Sequence, residues 1–250
     1  MNRMKAEASL NLYITAVHPC PYLPEREAVN LLVDPCFNMT ASMYARLLNN
    51  GFRRSGHDVY RPHCRGCSAC VSTRIPVQEF QADRSQRRNF KRNLDLQVTL
   101  NYDGFKPEYD SLYRRYIRQR HFGGGMDTDS TETFASFLLT RWCNTALVEF
   151  RDQDRLLAVA TVDVLKNGIS SVYTFFDPDV AVERGLGTFA VLWQIEHARA
   201  LGLPYVYPGY WIAEARKMRY KTRFQPIEGL IDGVWTPLSA QVDRDDQQSG

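Results

Sequence analysis

Three cysteines and an imidazole crowd into YRPHCRGCSACVSTRIP (60–76), where Cys64, Cys67 and Cys70 follow His63 at two successive C-x-x-C spacings. Thiols so spaced ligate a metal, carry redox or nucleophilic chemistry, or pack as small apolar groups. With Cys20 as a fourth ligand, Cys64, Cys67 and Cys70 would offer tetrahedral sulfur ligation to zinc or an iron–sulfur cluster. Nucleophilic catalysis would need a base held against the thiolate, and only the adjacent His63–Cys64 pair offers one. Side chains that are neighbours in sequence seldom point at the same atom. Cys36 and Cys143 read as ordinary small apolar residues.

Three further stretches carry charge of one sign among aromatic rings. RSQRRNFKR (84–92) holds Arg84, Arg87, Arg88, Lys91 and Arg92 with no acid. YRRYIRQRH (113–121) holds Arg114, Arg115, Arg118 and Arg120, and RKMRYKTR (216–223) holds Arg216, Lys217, Arg219, Lys221 and Arg223 around Tyr220. One such cluster is ordinarily a solvated helix face. Three in a chain of net charge only +3 point to a polyanion, phosphate-rich RNA above all.

The elements that must position these residues follow from composition and pattern. A chain of 250 residues, 44% hydrophobic and 24% charged, is an ordinary globular protein with enough length for a substantial core. No apolar run approaches the roughly 18–20 residues that span a membrane. With no basic flank, apolar stretch or cleavage site at the start, the expectation is a cytoplasmic protein whose six cysteines stay reduced. The first 80 residues are broken by turns, with a buried strand over 27–35, a helix over 40–51 capped by Thr40, and a strand over 72–80. Helices are predicted over 85–94, 107–121 and 130–142, with a strand from 96 to 102 between the first two. Three β-rich runs follow, joined by DQD and KNG turns. A long helix over 186–202, a strand over 205–211 and a closing hairpin complete the chain, and the tail from about 241 is polar enough to be disordered.

A β-meander, then a helix begun at glycine, then another strand is the order of the GNAT acyltransferase fold. ERGLGTFAV (183–191) resembles that fold's anion-binding turn, where backbone N–H groups at a helix start hold phosphate. Here, however, Val182 stands three residues before Gly185 and Arg184 immediately before it, so the turn is degraded as a coenzyme A site. The expected architecture is α+β: a small N-terminal cysteine-containing domain (1–80) packed on a C-terminal GNAT-like domain (81–240), with a tail (241–250).

Seven segments then carry a specific resemblance. HPCPYLP (18–24), NGFRRSG (50–56), YRPHCRGCSACVSTRIPV (60–77), RSQRRNFKRN (84–93), YTFFDP (173–178), LGTFAVLWQIE (186–196) and MRYKTRFQP (218–226) together resemble the arginyl-tRNA–protein transferase family. The bacterial aspartate/glutamate leucyltransferase branch is the nearer match, over about residues 10–235. The resemblance implies transfer of leucine from leucyl-tRNA to proteins with N-terminal Asp or Glu, yielding an N-degron read by the degradation machinery. An arginyl donor with the same acceptors is the alternative, as is a metal-dependent RNA-binding module without catalysis. Eukaryotic members carry a metal- or cluster-binding cysteine set. This sequence departs from it, with Cys20-Pro21-Tyr22-Leu23 in place of a C-x-x-C pair.

The implied chemistry is modest in its demands. An aminoacyl ester is already activated, and an α-amine of pKa about 7.7–8.0 is partly neutral near pH 7. Positioning and donors to the tetrahedral oxyanion can supply much of the acceleration, and neither a metal nor a covalent enzyme intermediate is required. No cofactor is therefore assigned, with zinc or an iron–sulfur cluster left open, and the thiols are expected to be reduced and packed near the acceptor site. An acidic acceptor side chain calls for guanidinium forks, and Arg53, Arg54 and Arg74 are the candidates. Arg84, Arg87, Arg88, Lys91, Arg118, Lys221 and Arg223 would take donor phosphates, and Tyr210, Trp211 or Tyr220 would stack on the terminal adenine. Asp177, Tyr173, His121 and Glu214 are the candidates for moving the proton. Asp177 could equally be an Asp-Pro turn residue, and His197 reads as structural.

Overall fold

The computed structural model describes residues 10–120 and 130–240. Within them helix and strand are mixed around one large sheet. The strands are β1 (Leu12–Ile14), β2 (His18–Pro19), β3 (Glu27–Ala28), β4 (Asn30–Val33), β5 (Arg53–Ser55), β6 (Asp58–Pro62), β7 (Val71–Pro76), β8 (Gln97–Asn101), β9 (Thr145–Asp152), β10 (Arg155–Leu165), β11 (Gly168–Phe176), β12 (Tyr205–Trp211), β13 (Ile227–Ile231) and β14 (Val234–Leu238). The helices are α1 (Ala41–Asn49), α2 (Arg84–Arg92), α3 (Pro107–Arg120), α4 (Thr131–Leu138), α5 (Pro178–Arg184) and α6 (Leu186–Ala200), with a 3-10 helix at Arg216–Arg223.

The large sheet runs β14-β13-β7-β12-β11-β10-β9-β8, and a smaller one runs β1-β4-β6-β5. Every pairing in the large sheet is antiparallel except β11 with β12. That exception follows from connectivity, because α5 and α6 carry the chain across from one strand to the next and return it in the same direction. β7 comes from the cysteine-rich first part of the chain yet lies inside the large sheet, between β13 and β12. The main core packs α3 and α4 on one face of this sheet and α6 on the other, since adjacent β9 residues Glu149 and Phe150 meet Tyr109 of α3 and Phe189 of α6. A second core joins α1 and the small sheet to Leu165 and Tyr207.

Local chemistry explains most helix boundaries. The Thr40 side chain accepts from the Met43 amide, as its N-cap position predicts. Asp83 and Gln86 form a capping box that starts α2. Pro178 at the first position of α5 follows Asp177, whose side chain caps the helix by accepting from the Asp179 amide. This short helix, the β5–β6 hairpin and the 3-10 turn are absent from the sequence-based expectation.

Two expected elements are corrected. The strand over 27–35 is split between β3 and β4, which belong to different sheets and are mostly half-exposed. The helix over 130–142 ends at Leu138, because the neighbouring chain claims its last carbonyls. Phe137 O accepts from the Gly56 amide at 2.8 Å and Leu138 O from Arg54 Nη2 at 2.9 Å. A helix whose terminal carbonyls are satisfied from outside has no cause to continue.

Arg54 is the pin that seats the small sheet on the large one. Its Nε and Nη2 both reach Asp163 of β10 at 2.7 Å, its fork also donates to Gly56 O and Thr145 Oγ1, and neither charged side chain is exposed. Removing one partner strands the other charge in the interior, whereas removing both does not. Asp163→Ala should therefore cost about 3–5 kcal/mol in urea unfolding. The double variant Arg54→Met/Asp163→Leu should recover most of that loss.

Candidate functional site

β11 and β12 pair only at Ile169–Val206 and Ser170–Tyr207, and then part. Both strands carry irregularities there. β11 shifts register against β10 around Val172, and β12 shifts against β7 between Val206 and Gly209, across Pro208. Such bulges bend a strand and re-aim its side chains, and proline is tolerated at them because it has no N–H to give the ladder. Gly209 takes φ +99°, a conformation that side chains disfavour.

Parting strands leave carbonyl oxygens without ladder partners, and two cations take them. Arg53 reaches out of β5 to donate to Tyr207 O at 3.1 Å and to Ser171 O. Lys221 Nζ donates to Tyr210 O at 2.5 Å. Both residues are buried, at 7% exposure each. Every hydrogen bond they make among the described residues goes to a neutral backbone oxygen. The two lie side by side, since a Cβ added at Gly209 would stand 3.4 Å from Lys221 Nζ and 3.8 Å from Arg53 Nη2. Burial, reinforced by the charge of Arg53, lowers the Lys221 pKa to about 7.

Beside this pair lies a cavity of about 370 Å³. Tyr22, Tyr60 and Tyr210 line it together with Cys20, Cys64 and Cys70. Two of these residues connect it to the cations. Tyr60 is the register partner of Arg53, and Tyr210 supplies the carbonyl that Lys221 holds. The four thiols of the expected set are neighbours. Burial first, and then the charges of Cys20, Cys64 and Cys67, push the Cys70 thiol up to about 12. Two of the sulfurs also take backbone and side-chain partners. Cys64 Sγ accepts from the Val29 amide at 3.5 Å and donates to its carbonyl at 3.6 Å, and Cys67 Sγ accepts from Arg26 at 3.5 Å. Among the described residues no three His, Cys, Asp or Glu side chains converge to hold a metal ion. None of the six cysteines is in a disulfide.

The other residues singled out from sequence scatter. Of the acceptor candidates, Arg54 is consumed by Asp163. Arg74 pairs with Glu228 at 2.6 Å and lies between the rings of Tyr205 and Trp235, 4.0 and 4.3 Å from their centroids. Of these three, Arg53 alone has no carboxylate partner among the described residues. Of the RNA candidates, Arg84, Arg87, Arg88 and Lys91 are exposed along α2, Arg118 is exposed on α3, and Tyr220 and Arg223 are exposed on the 3-10 helix. Gln86 Nε2 donates to Arg223 O at 2.9 Å and so joins α2 to the 3-10 helix. Tyr210 and Lys221 instead turn inward, the Tyr210 hydroxyl donating to Gly51 O at 2.8 Å. Trp211 is half-buried, and its indole N–H is buried without a hydrogen-bond partner among the described residues.

The proton-moving candidates are not gathered at the cleft. Asp177 is fully buried, capping α5 and bound by Arg115 at 3.1 Å and Arg155 at 2.7 Å. Burial raises its pKa, but the Arg155 and Asp179 hydrogen bonds and the two guanidinium charges outweigh that and hold it below the usual carboxylate value. Tyr173 sits among Tyr113, Phe134, Phe137 and Phe175, and burial pushes its hydroxyl far up. Glu214 is exposed after β12. His121 lies outside the described residues. His197 stacks on Trp193 in α6, at 4.7 Å between centroids. At the ERGLG turn, Asn89 Nδ2 covers the carbonyls of Arg184 and Gly185, while Arg184 is bidentate to Asp95 at 3.0 Å.

Asp163 and the Arg53–Lys221 pairing are what sequence reasoning missed. A lone acid inside the apolar strand RLLAVATVDVL signals the first, because such a charge must have a buried partner. No pattern signals the second.

Two outcomes follow from these environments. In the unfolded chain Lys221 titrates near 10.4, so between that value and about 7 only the unfolded state holds the proton, and wild-type stability falls as pH drops through this window. Below about 7 the penalty is complete. Lys221→Met should therefore gain most in Tm relative to wild type at about pH 6, with the gain shrinking towards about pH 10. Iodoacetamide at about pH 8 should alkylate exposed Cys36 well before Cys70, as read by mass spectrometry of the peptides.

Comparisons with known proteins bear on the family of the chain. A family model described as "Arginine-tRNA-protein transferase, N terminus" matches residues 18–88, and "Arginine-tRNA-protein transferase, C terminus" matches residues 108–231. The aspartate/glutamate leucyltransferase of Pseudomonas aeruginosa is 50% identical over 232 residues, covering 93% of this chain and 98% of that one. The protein of the same name from Nitrosococcus oceani is 48% identical over 231 residues, covering 92% and 97%. Among solved structures, L-PGS from Bacillus licheniformis overlaps with a TM-score of 0.44 at 10% identity, over 68% of this chain and 50% of that one, too slight a likeness to bear on the site. Near-complete coverage at half identity leaves one assignment: the chain belongs to the arginine-tRNA-protein transferase family, in its aspartate/glutamate leucyltransferase branch.

Proposed function

We propose that this protein transfers leucine from leucyl-tRNA to the N-terminal Asp or Glu of acceptor proteins. The observation that carries the proposal is the 50% identity to an aspartate/glutamate leucyltransferase across nearly the full length of both chains. The architecture supports it. The β9–β10–β11 meander, followed by α6 and by a strand that runs parallel to β11 and then parts from it, is GNAT-like in order. The arginine flanking the start of α6, Arg184, is held by Asp95, which speaks against its use on a coenzyme A pyrophosphate as donor anion. On this reading residues 1–80 bring the cysteines and the acceptor arginines, and residues 81–240 perform the aminoacyl transfer.

The exposed arginines and lysine of α2, with Arg223 and Tyr220 beside them, form the face proposed to take the donor tRNA. In the transfer the neutral α-amine of the acceptor attacks the ester carbonyl. The bond from that carbonyl carbon to the ribose oxygen of the terminal adenosine then breaks. The proton lost by the amine ends on that ribose oxygen, so the step balances without a co-reactant. Asp177 and Tyr173, embedded as they are, serve the scaffold beneath the cleft. Proton transfer passes to the leaving oxygen itself, directly or through water.

The deciding measurement supplies radiolabelled leucyl- and arginyl-tRNA to peptides beginning with Asp, Glu, Asn or Gln. Leucine should pass to the acidic peptides alone, and equal use of the arginyl donor would overturn the donor assignment. Arg84→Glu/Arg88→Glu should raise the KM for leucyl-tRNA about tenfold or more at low salt. It should also lower the salt slope of tRNA binding by about 2. The KM for the peptide should not change.

A further inference from the structure

Two buried cations that share a gap and hold only neutral oxygens are an incomplete electrostatic arrangement. A charge taken out of water is costly unless an opposite charge meets it, and elsewhere this chain meets that requirement. Arg54 has Asp163, Arg74 has Glu228, and Asp177 has two arginines. Arg53 and Lys221 alone combine 7% exposure with no carboxylate among the described residues. They come from distant segments, one on β5 and one on the 3-10 helix, and meet at the backbone of Gly209.

We propose that Arg53 and Lys221 together bind the side-chain carboxylate of the acceptor's first residue and so set the preference for Asp and Glu. The proposal rests on the leucyl-transfer reading and names the subsite within it. Size and enclosure favour a carboxylate over an RNA phosphate. A phosphodiester is flanked by two riboses and keeps to solvated grooves, whereas a single carboxylate can end inside a dry gap. The exposed phosphate-binding candidates lie on α2 and the 3-10 surface, while these two cations turn inward.

The adjoining cavity of about 370 Å³ is of a size for the first residues of a peptide chain. Its aromatic walls, Tyr22, Tyr60 and Tyr210, suit an extended backbone of any sequence. Opposite Tyr210 in the β7–β12 register, the buried Ser72 hydroxyl has no hydrogen-bond partner among the described residues and adds one unspent donor to the same neighbourhood. The thiols of Cys20, Cys64 and Cys70 border this cavity as walls, which gives the cysteine loop a part in shaping the acceptor entrance.

The test compares Lys221→Met and Lys221→Gln with the wild type, using peptides that begin with Asp or with Asn. The glutamine keeps a donor for Tyr210 O and removes only the charge. Folding is checked by circular dichroism. Peptide binding without tRNA is measured by calorimetry, and transfer kinetics with leucyl-tRNA are measured in parallel. Both variants should lose about 10- to 100-fold in affinity and in kcat/KM for the Asp peptide. They should be unchanged towards the Asn peptide and keep the KM for leucyl-tRNA. Unchanged discrimination between Asp and Asn overturns the proposal, as does a raised KM for leucyl-tRNA, which would hand the pair to the RNA. If wild type binds Asp over Asn but transfers no leucine, the donor assignment falls and the carboxylate subsite stands. If wild type transfers leucine but the variants discriminate as before, the reverse holds.

Discussion

The divergence of β11 from β12 is the constraint on which the rest of this structure turns. A parallel pair held at only two register positions must open, and an opened pair exposes backbone oxygens inside the protein. Arg53 and Lys221 satisfy those oxygens from opposite sides of the chain's length, and in doing so bury a guanidinium beside an amine that burial makes easier to deprotonate. The gap is therefore stable as a backbone feature and unbalanced as an electrostatic one. The first property builds a cleft, and the second makes the cleft selective for anions.

Everything that seats Arg53 serves this arrangement. β5 is only three residues long and would hold no fixed position by itself. Its neighbour Arg54 anchors it to Asp163, Thr145 and the end of α4, so adjacent arginines divide the work. One spends its fork on the scaffold, and the other is thereby aimed at the gap. β7 adds a second tie, carrying the chain that follows the cysteine loop into the centre of the large sheet beside β12. The small sheet and the cysteines are thus fixed to the cleft by covalent continuity, an ion pair and strand pairing together.

Much of the fold was legible in the residues. Thr40 begins a helix where its cap chemistry places it, and the three β-rich runs over 145–176 pair as a meander. What was not legible depended on distant partners. α4 stops at Leu138 because Arg54 and Gly56 take its carbonyls, which no window around residue 138 reveals. The site was legible by residue type and not by grouping. Arg53 was singled out among acceptor candidates and Lys221 among phosphate candidates, and the backbone of Gly209 brings them together.

By itself the sequence determined the family, the Thr40 helix cap and the basic face of α2, because each rests on local residue type and spacing. Tertiary structure alone decided which of three arginines has no carboxylate partner among the described residues and which lysine of a basic run is buried. It also decided where the thiols point. The reason is physical: a charge's role is set by its burial and its partner, and both come from segments more than a hundred residues away, as Asp163 does for Arg54 and Tyr207 for Arg53.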